Sequence, residues 1–352
     1  MKKFAFLVTT ITILLFLLGI IILNVYFKSP VGGNKEIVFE VKEGETFSGI
    51  SGRLKENDLI KSEFFYKLYL KTNSSAELKK GTHILNTNMD LNKILTVLSS
   101  ESNVKPVRVT FKEGRNMRYI VSVITENFTI TEEEIFNKLK DKAYLDSLKL
   151  KYWFIDDNIT NTKLYYSLEG YLYPDTYEYK GSASIEEIFG KMLDNMSKKI
   201  EIYKQDIEAS TFNFHQILTF ASIVELEGAS EQDRMGVASV FYNRLKTKMT
   251  LGSDVTTYYA VKVDMGERDL YKTEINDLND YNTRNANMGG KLPIGPICNP
   301  SLISIKATLK PSVSSNYYFV ADKNKKVYFT KNINEHNTII NKLKSEGLWY
   351  TY

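Results

Sequence analysis

At 352 residues, 43% of them hydrophobic, the chain holds apolar material for more than one core, and its length suggests about two soluble domains beyond any anchor. Forty-six basic against 42 acidic residues leave a net charge of +4, too balanced to mark a nucleic-acid binder, and no basic stripe interleaved with aromatics appears. Cys298 is the only cysteine, which excludes an internal disulfide and the usual cysteine-based zinc site.

Phe4 to Phe27 carries no charged residue and exceeds the roughly 20 residues a helix needs to cross a bilayer. It follows Met1-Lys2-Lys3 and lacks a small-residue cleavage site, so residues 1–30 read as an uncleaved single-pass anchor in the cell membrane. Lysines flank both ends, so charge barely sets the orientation; the bulk of the chain is placed outside the cytoplasm. Ser29-Pro30-Val31-Gly32-Gly33-Asn34 has the punctuation of a linker. Ile37–Val41 alternates like a strand, Thr46–Leu59 and Ser62–Tyr69 show helical spacing, a second strand lies near His83–Leu85, and a helix runs through Leu91, Ile94 and Leu98. This βααβ order over residues 36–102, opening on Val-x-x-Gly-Glu-Thr-Phe at 41–47, resembles a LysM glycan-binding module.

Residues 104–347 form a second, larger region. A strand at Val107–Phe111 leads into helices at Met117–Glu126, Thr131–Leu139, Ile185–Asp206, Phe214–Glu227 and Ser230–Leu245, the last opening on the capping box Ser230-Glu231-Gln232-Asp233. Short strands recur at Tyr317–Val320 and Val327–Phe329, and a helix closes the region at Glu335–Lys344. The mixture is α+β without regular βαβ alternation.

The histidines at 83, 215 and 336 are scattered, no metal-binding pair, P-loop or nucleophile elbow appears, and no cofactor is implied. Carboxylates remain. Glu225 ends an apolar helical run, three, four and seven positions after Ser222, Ala221 and Leu218, and so projects from a small, apolar face. Desolvation there would favour a protonated carboxyl suited to acid catalysis; a structural ion pair is the plainer alternative. Glu227 also fits the apolar periodicity, and two residues apart on a helix the pair diverges by about 200°, so at most one of them faces a scissile bond. Spacing alone does not choose.

Leu168-Glu169-Gly170-Tyr171-Leu172-Tyr173-Pro174-Asp175-Thr176-Tyr177, Ala221-Ser222-Ile223-Val224-Glu225-Leu226-Glu227, Val237–Leu245, Met249–Thr256, Tyr281-Asn282-Thr283 and Leu292–Pro300 together resemble the endolytic murein transglycosylases of the MltG/YceG-like family, in order and over essentially the whole chain. Ile294, Arg284 and Gly228 depart from the family's common residues, which bears on loop geometry. The resemblance implies that Glu225 is the catalytic acid and base, and that Glu227 is structural or lines the cleft. It implies cleavage of the MurNAc–GlcNAc bond in nascent peptidoglycan strands, leaving 1,6-anhydro ends and limiting elongation beside peptidoglycan synthases. Asn243, Asp254, Tyr259 and Asn282 are substrate-binding candidates by motif position, with loop scaffolding as their plainer role. Two other readings stay open. One is a hydrolytic muramidase, which needs a second carboxylate such as Glu169, Asp175 or Asp254; the other is a non-catalytic anchored glycan binder.

Overall fold

A computed structural model describes residues 2–28, 30–73, 77–101 and 106–349. Ser29 of the expected linker and the expected domain limits at Ser102 and Val104 lie outside the described residues. The chain divides into two compact units, Met1–Val107 and Arg108–Tyr352.

The smaller unit begins with α1 (Lys2–Phe27). Its Phe6–Phe27 stretch has a mean hydropathy of 2.9 and, among the described residues, is the one helix long and apolar enough to cross a membrane. Strands β1 (Glu36–Val41) and β2 (Gly81–Asn86) pair antiparallel, Glu36 opposite Asn86 and Val41 opposite Gly81. Helices α2 (Ser51–Glu56), α3 (Glu63–Asn73) and α4 (Leu91–Ser99) cover one face, burying Phe39, Ile50, Leu54, Tyr66, Leu85 and Ile94. The helix expected over Thr46–Leu59 is shorter. The Gly49 amide is drawn to the Thr46 hydroxyl at 3.1 Å, and Asp58 turns out of the helix at φ +53°.

In the larger unit, β3 (Val107–Thr110) leads to α5 (Met117–Asn127), α6 (Glu132–Lys138) and α7 (Lys142–Lys151), and β4 (Thr176–Tyr179) joins β3 in a two-stranded sheet. The single helix expected from Ile185 to Asp206 is α8 (Ile185–Ile200), a 3₁₀ turn and α9 (Lys204–Glu208); Ile200, Ile202 and Tyr203 are weak helix formers at the break. Next come α10 (Phe214–Glu227), α11 (Glu231–Lys246), α12 (Asp254–Ala260), α13 (Lys272–Ile275) and α14 (Leu302–Leu309). The antiparallel hairpin β5 (Tyr318–Ala321) and β6 (Val327–Thr330) and the final helix α15 (Ile333–Ser345) complete it.

α10, α11 and α14 pack against one another, and α10 is apolar nearly all round because it lies inside. Phe220, Ile223 and Val224 of α10 meet Val237, Ala238 and Phe241 of α11 and Ala307 of α14. Reciprocal caps fix both helix starts, Asn213 with Gln216 and Ser230 with Asp233.

The turn at Gly170 takes φ +85°, and a Cβ there would stand 2.5 Å from the Pro296 Cβ. Gly170→Ala should therefore cost about 3 kcal/mol through left-handed strain and overpacking, lowering the melting temperature of the larger unit by roughly 5–10 °C in thermal unfolding followed by circular dichroism.

Candidate active site

The C-terminal turn of α10 brings Glu225 against the start of α14. Its side chain is 5% exposed and that of Arg234 12%. Arg234 Nη2 donates to Glu225 Oε1 at 2.8 Å, while Nη1 donates to Ser301 Oγ at 3.1 Å and Nε to the Gly228 carbonyl at 3.1 Å. Oε2 accepts from the Ser301 amide at 3.0 Å, the Ser301 hydroxyl at 2.6 Å and the Ser304 hydroxyl at 2.7 Å. The expected apolar face is thus corrected: Glu225 sits among donors, because segments distant in sequence fold over it.

Local chemistry explains how those donors arrive. Ser301 is the N-cap of α14, so its free amide and the positive end of the helix face the carboxylate. Gly228, one of the departures from the family pattern, ends α10; a Cβ there would lie 2.9 Å from both the Arg234 amide nitrogen and Cα, so a larger residue would push α11 away. Gly114, at φ +69° in the turn after β3, faces the carboxylate from another side, and a Cβ on it would stand 3.4 Å from Glu225 Cγ and 3.9 Å from Oε1. Oε2 holds three donors and Oε1 only Arg234, which makes Oε1 the oxygen with capacity to spare.

Glu227 points elsewhere, accepting from Ser253 Oγ at 2.5 Å, and its carboxyl is raised by burial and then by Asp254. Asp254 is ion-paired with Arg284. The Asn243 amide donates to the carbonyls of Ser314 and Asn316 at 3.0 and 2.9 Å, and the Asn282 amide to those of Ile275 and Asp277 at 3.0 and 2.9 Å. Neither side chain is brought to Glu225. The Tyr259 hydroxyl donates to Glu169 Oε2 at 3.0 Å.

Glu169 is buried, 1% exposed, and also accepts from the Met117 amide and the Asn299 side chain. Burial pushes its carboxyl up to about 7 against those donors. Asp175 holds the Thr176 amide and the Asn195 side chain. His215 bridges the Tyr171 hydroxyl and the Ile294 carbonyl, and burial lowers its basicity. Cys298 donates to the Ser222 carbonyl at 3.4 Å, and burial drives its thiol well above the usual range.

Glu113, beside Gly114, is the carboxylate that sequence reasoning missed. Its carboxyl is raised by partial burial and then by the Glu225 carboxylate, with Arg234 opposing. The Tyr173 hydroxyl shares this field: burial raises it first, then Glu113, Asp175 and Glu225. Arg234, Ser301 and Ser304 were also missed; the Asn299-Pro300-Ser301 start ahead of an apolar run is the signal that could have located an anion-holding helix end.

The profile of the YceG-like family matches residues 39–342. The chain is 34% identical over 299 residues to the endolytic murein transglycosylase of Bacillus subtilis, covering 84% of this chain and 82% of that protein. It is 30% identical over 328 residues to the endolytic murein transglycosylase of Streptococcus pneumoniae strain R6, covering 88% of this chain and 59% of that longer protein. A crystal structure of a YceG-like protein from Listeria monocytogenes superposes with a TM-score of 0.60 at 30% identity, over 87% of this chain and all of that one.

Two measurements test the electrostatics. Arg234→Ala leaves a buried carboxylate uncompensated and should cost about 3–5 kcal/mol in denaturant unfolding, whereas the double variant with Glu225→Gln should lose less than the two single losses combined. Glu169 is an acid whose folded value lies above its unfolded one, so its contribution favours the fold at low pH and is lost as pH rises from about 4.5 to about 7, by about 3 kcal/mol in all. Glu169→Gln should flatten that part of the pH–stability curve.

Proposed function

This chain belongs to the YceG-like family, and on that premise we propose that it is a peptidoglycan lytic transglycosylase whose acid and base is Glu225. The observation that carries the reading is the asymmetry of the Glu225 carboxylate: Oε2 is fixed by three donors, while Oε1 has one and lies against a residue without a side chain.

A proton on Oε1 passes to the glycosidic oxygen as the bond from MurNAc C1 to that oxygen breaks, and GlcNAc leaves with the proton. The C6 hydroxyl of the same MurNAc then bonds to C1, returning its proton to Glu225 and closing a 1,6-anhydro ring. The hydroxyl is tethered to the carbon it attacks, so its effective concentration is high and no water is required. Arg234, Ser301 and Ser304 hold the carboxylate between the two transfers. Asn243 and Asn282 serve by holding loops, Glu227 and Asp254 by shaping the wall beside α12, and Tyr259 by lining a groove next to the acid.

The apolar α1 supports a single-pass anchor that holds the larger unit outside the cell membrane, where it meets nascent strands beside their synthases and limits their elongation. The βααβ order of the smaller unit supports a LysM-like glycan-binding role. One observation favours a hydrolytic second reading: Glu113, whose carboxyl is raised by partial burial and then by Glu225, is a second carboxylate within the field of the first.

Mass spectrometry of products from uncrosslinked strands treated with the full-length chain in detergent separates these readings. Internal fragments with 1,6-anhydro ends are expected, reduced at least 10²–10⁴-fold by Glu225→Gln. Reducing ends abolished by Glu113→Gln would replace this reading with hydrolysis, and intact strands from folded wild-type protein would leave a glycan binder.

A further inference from the structure

Beside Glu225 lies a groove of about 350 Å³, within the range of small-ligand sites. Gly114 and Leu226 line one end of it, and a Cβ on Gly114 would stand 3.4 Å from Glu225 Cγ, so this end adjoins the Glu225 side chain. One wall is the start of α5 with the turn before it, carrying Arg115, Arg118 and Tyr119; the other is α12 and the residues after it, carrying Tyr258, Asp264 and Met265.

The charges of this groove do not cancel. Arg118 Nη2 pairs with Asp264 at 2.5 Å, tying the two walls together, and that pair uses the one carboxylate among the lining residues. Arg115 has no ion-pair partner among the described residues. Its guanidinium rests over the Tyr119 ring, 5.5 Å from the centroid. Its backbone is fixed, however, because the Arg115 carbonyl accepts from both the amide and the side chain of Asn299, at 2.9 and 3.1 Å. An exposed guanidinium on an anchored backbone, next to aromatic rings and directly after the glycine that faces Glu225, suits a ligand with a carboxylate on a sugar, since its planar fork matches a carboxylate and tyrosine faces suit pyranose rings.

We propose that this groove is the subsite for the muramyl residue next to the scissile bond, with Arg115 binding the carboxylate of its lactyl or lactyl-peptide arm. The inference rests on the peptidoglycan reading above and deepens it by naming the substrate group that is recognised. The arm has two sources of carboxylate: the stem peptide on intact strands, and the lactyl group itself once the stem is removed. Arg115 is exposed and its one described side-chain contact is the Tyr119 ring, so substitutions there are expected to leave the fold intact, which circular dichroism of each variant checks.

The test uses the full-length chain in detergent, Arg115→Gln and Arg115→Lys variants, and three substrates: strands with stems, strands with stems enzymatically removed, and strands whose carboxylates have been amidated. Arg115→Gln should raise KM on stemmed strands roughly tenfold with little change in kcat, as expected for one charge-assisted pair reached by solvent, with Arg115→Lys intermediate. Amidated strands should be cleaved equally by wild type and Arg115→Gln. A loss confined to stemmed strands assigns the stem carboxylate, a loss confined to stem-free strands assigns the lactyl carboxylate that stem removal frees, and a loss on both shows that Arg115 takes either. An equal loss on amidated strands, or no loss on any substrate, overturns the proposal while leaving the cleavage reading intact. If the wild type cleaves nothing, calorimetric titration of stemmed and amidated fragments into wild type and Arg115→Gln still decides the subsite: Arg-dependent preference for the charged fragment supports it, and equal binding refutes it.

Discussion

The larger unit is organised around a buried negative charge. Placing a carboxylate at 5% exposure is costly unless it is paired and hydrogen-bonded, and Glu225 meets that requirement only by drawing in two further segments at once. α10 presents the carboxylate, α11 brings Arg234 back across it, and α14 begins on top of it. Each demand fixes something else: the tight exit from α10 needs Gly228, the start of α14 needs a capping serine, and the turn after β3 must pass without a side chain at Gly114. The same contacts that satisfy the charge therefore determine how the helices cross.

A second buried carboxylate lies behind the first, and one short piece of chain connects them. Asn299 donates to Glu169, while Ser301, two residues on, donates to Glu225. Asn299 also receives the Leu172 amide and holds the Arg115 carbonyl, so this segment reaches the motif around Gly170 and the groove wall together. Tyr259 and the first amide of α5 close the circle on Glu169. Displacing any one of these strands moves groups on both sides of the cleft, because close-packed interiors transmit shifts instead of absorbing them.

Much of the architecture is legible in the sequence because its signals are local. The cap pair Ser230–Asp233 stands three residues apart, and the uncharged run ending at Phe27 is long enough to identify by inspection. Periodicity could not separate Glu225 from Glu227, since both follow apolar residues at helical intervals. What separates them is direction: one faces Arg234, Ser301 and Ser304, the other Ser253. Those serines lie more than 70 residues downstream of Glu225, beyond any helical window, and for that reason Glu225 reads in sequence as a residue on an apolar face. The family resemblance could single out Glu225 but carried no information on its partners, and Glu113 escaped notice because nothing local distinguishes it from a solvated turn residue.

Cys298 adds a consequence of a different kind. Its sulfur is sealed between α10 and the segment that carries Asn299 and Ser301, with its proton held toward the Ser222 carbonyl and its thiolate form strongly disfavoured. Oxidants and alkylating reagents act on exposed thiolates, so in the native protein this sulfur is silent. It becomes reactive only when that segment lifts away. A single native thiol thus serves as a built-in clock for the opening of the segment that supports both buried carboxylates, and its labelling rate distinguishes local opening from global unfolding without any added probe.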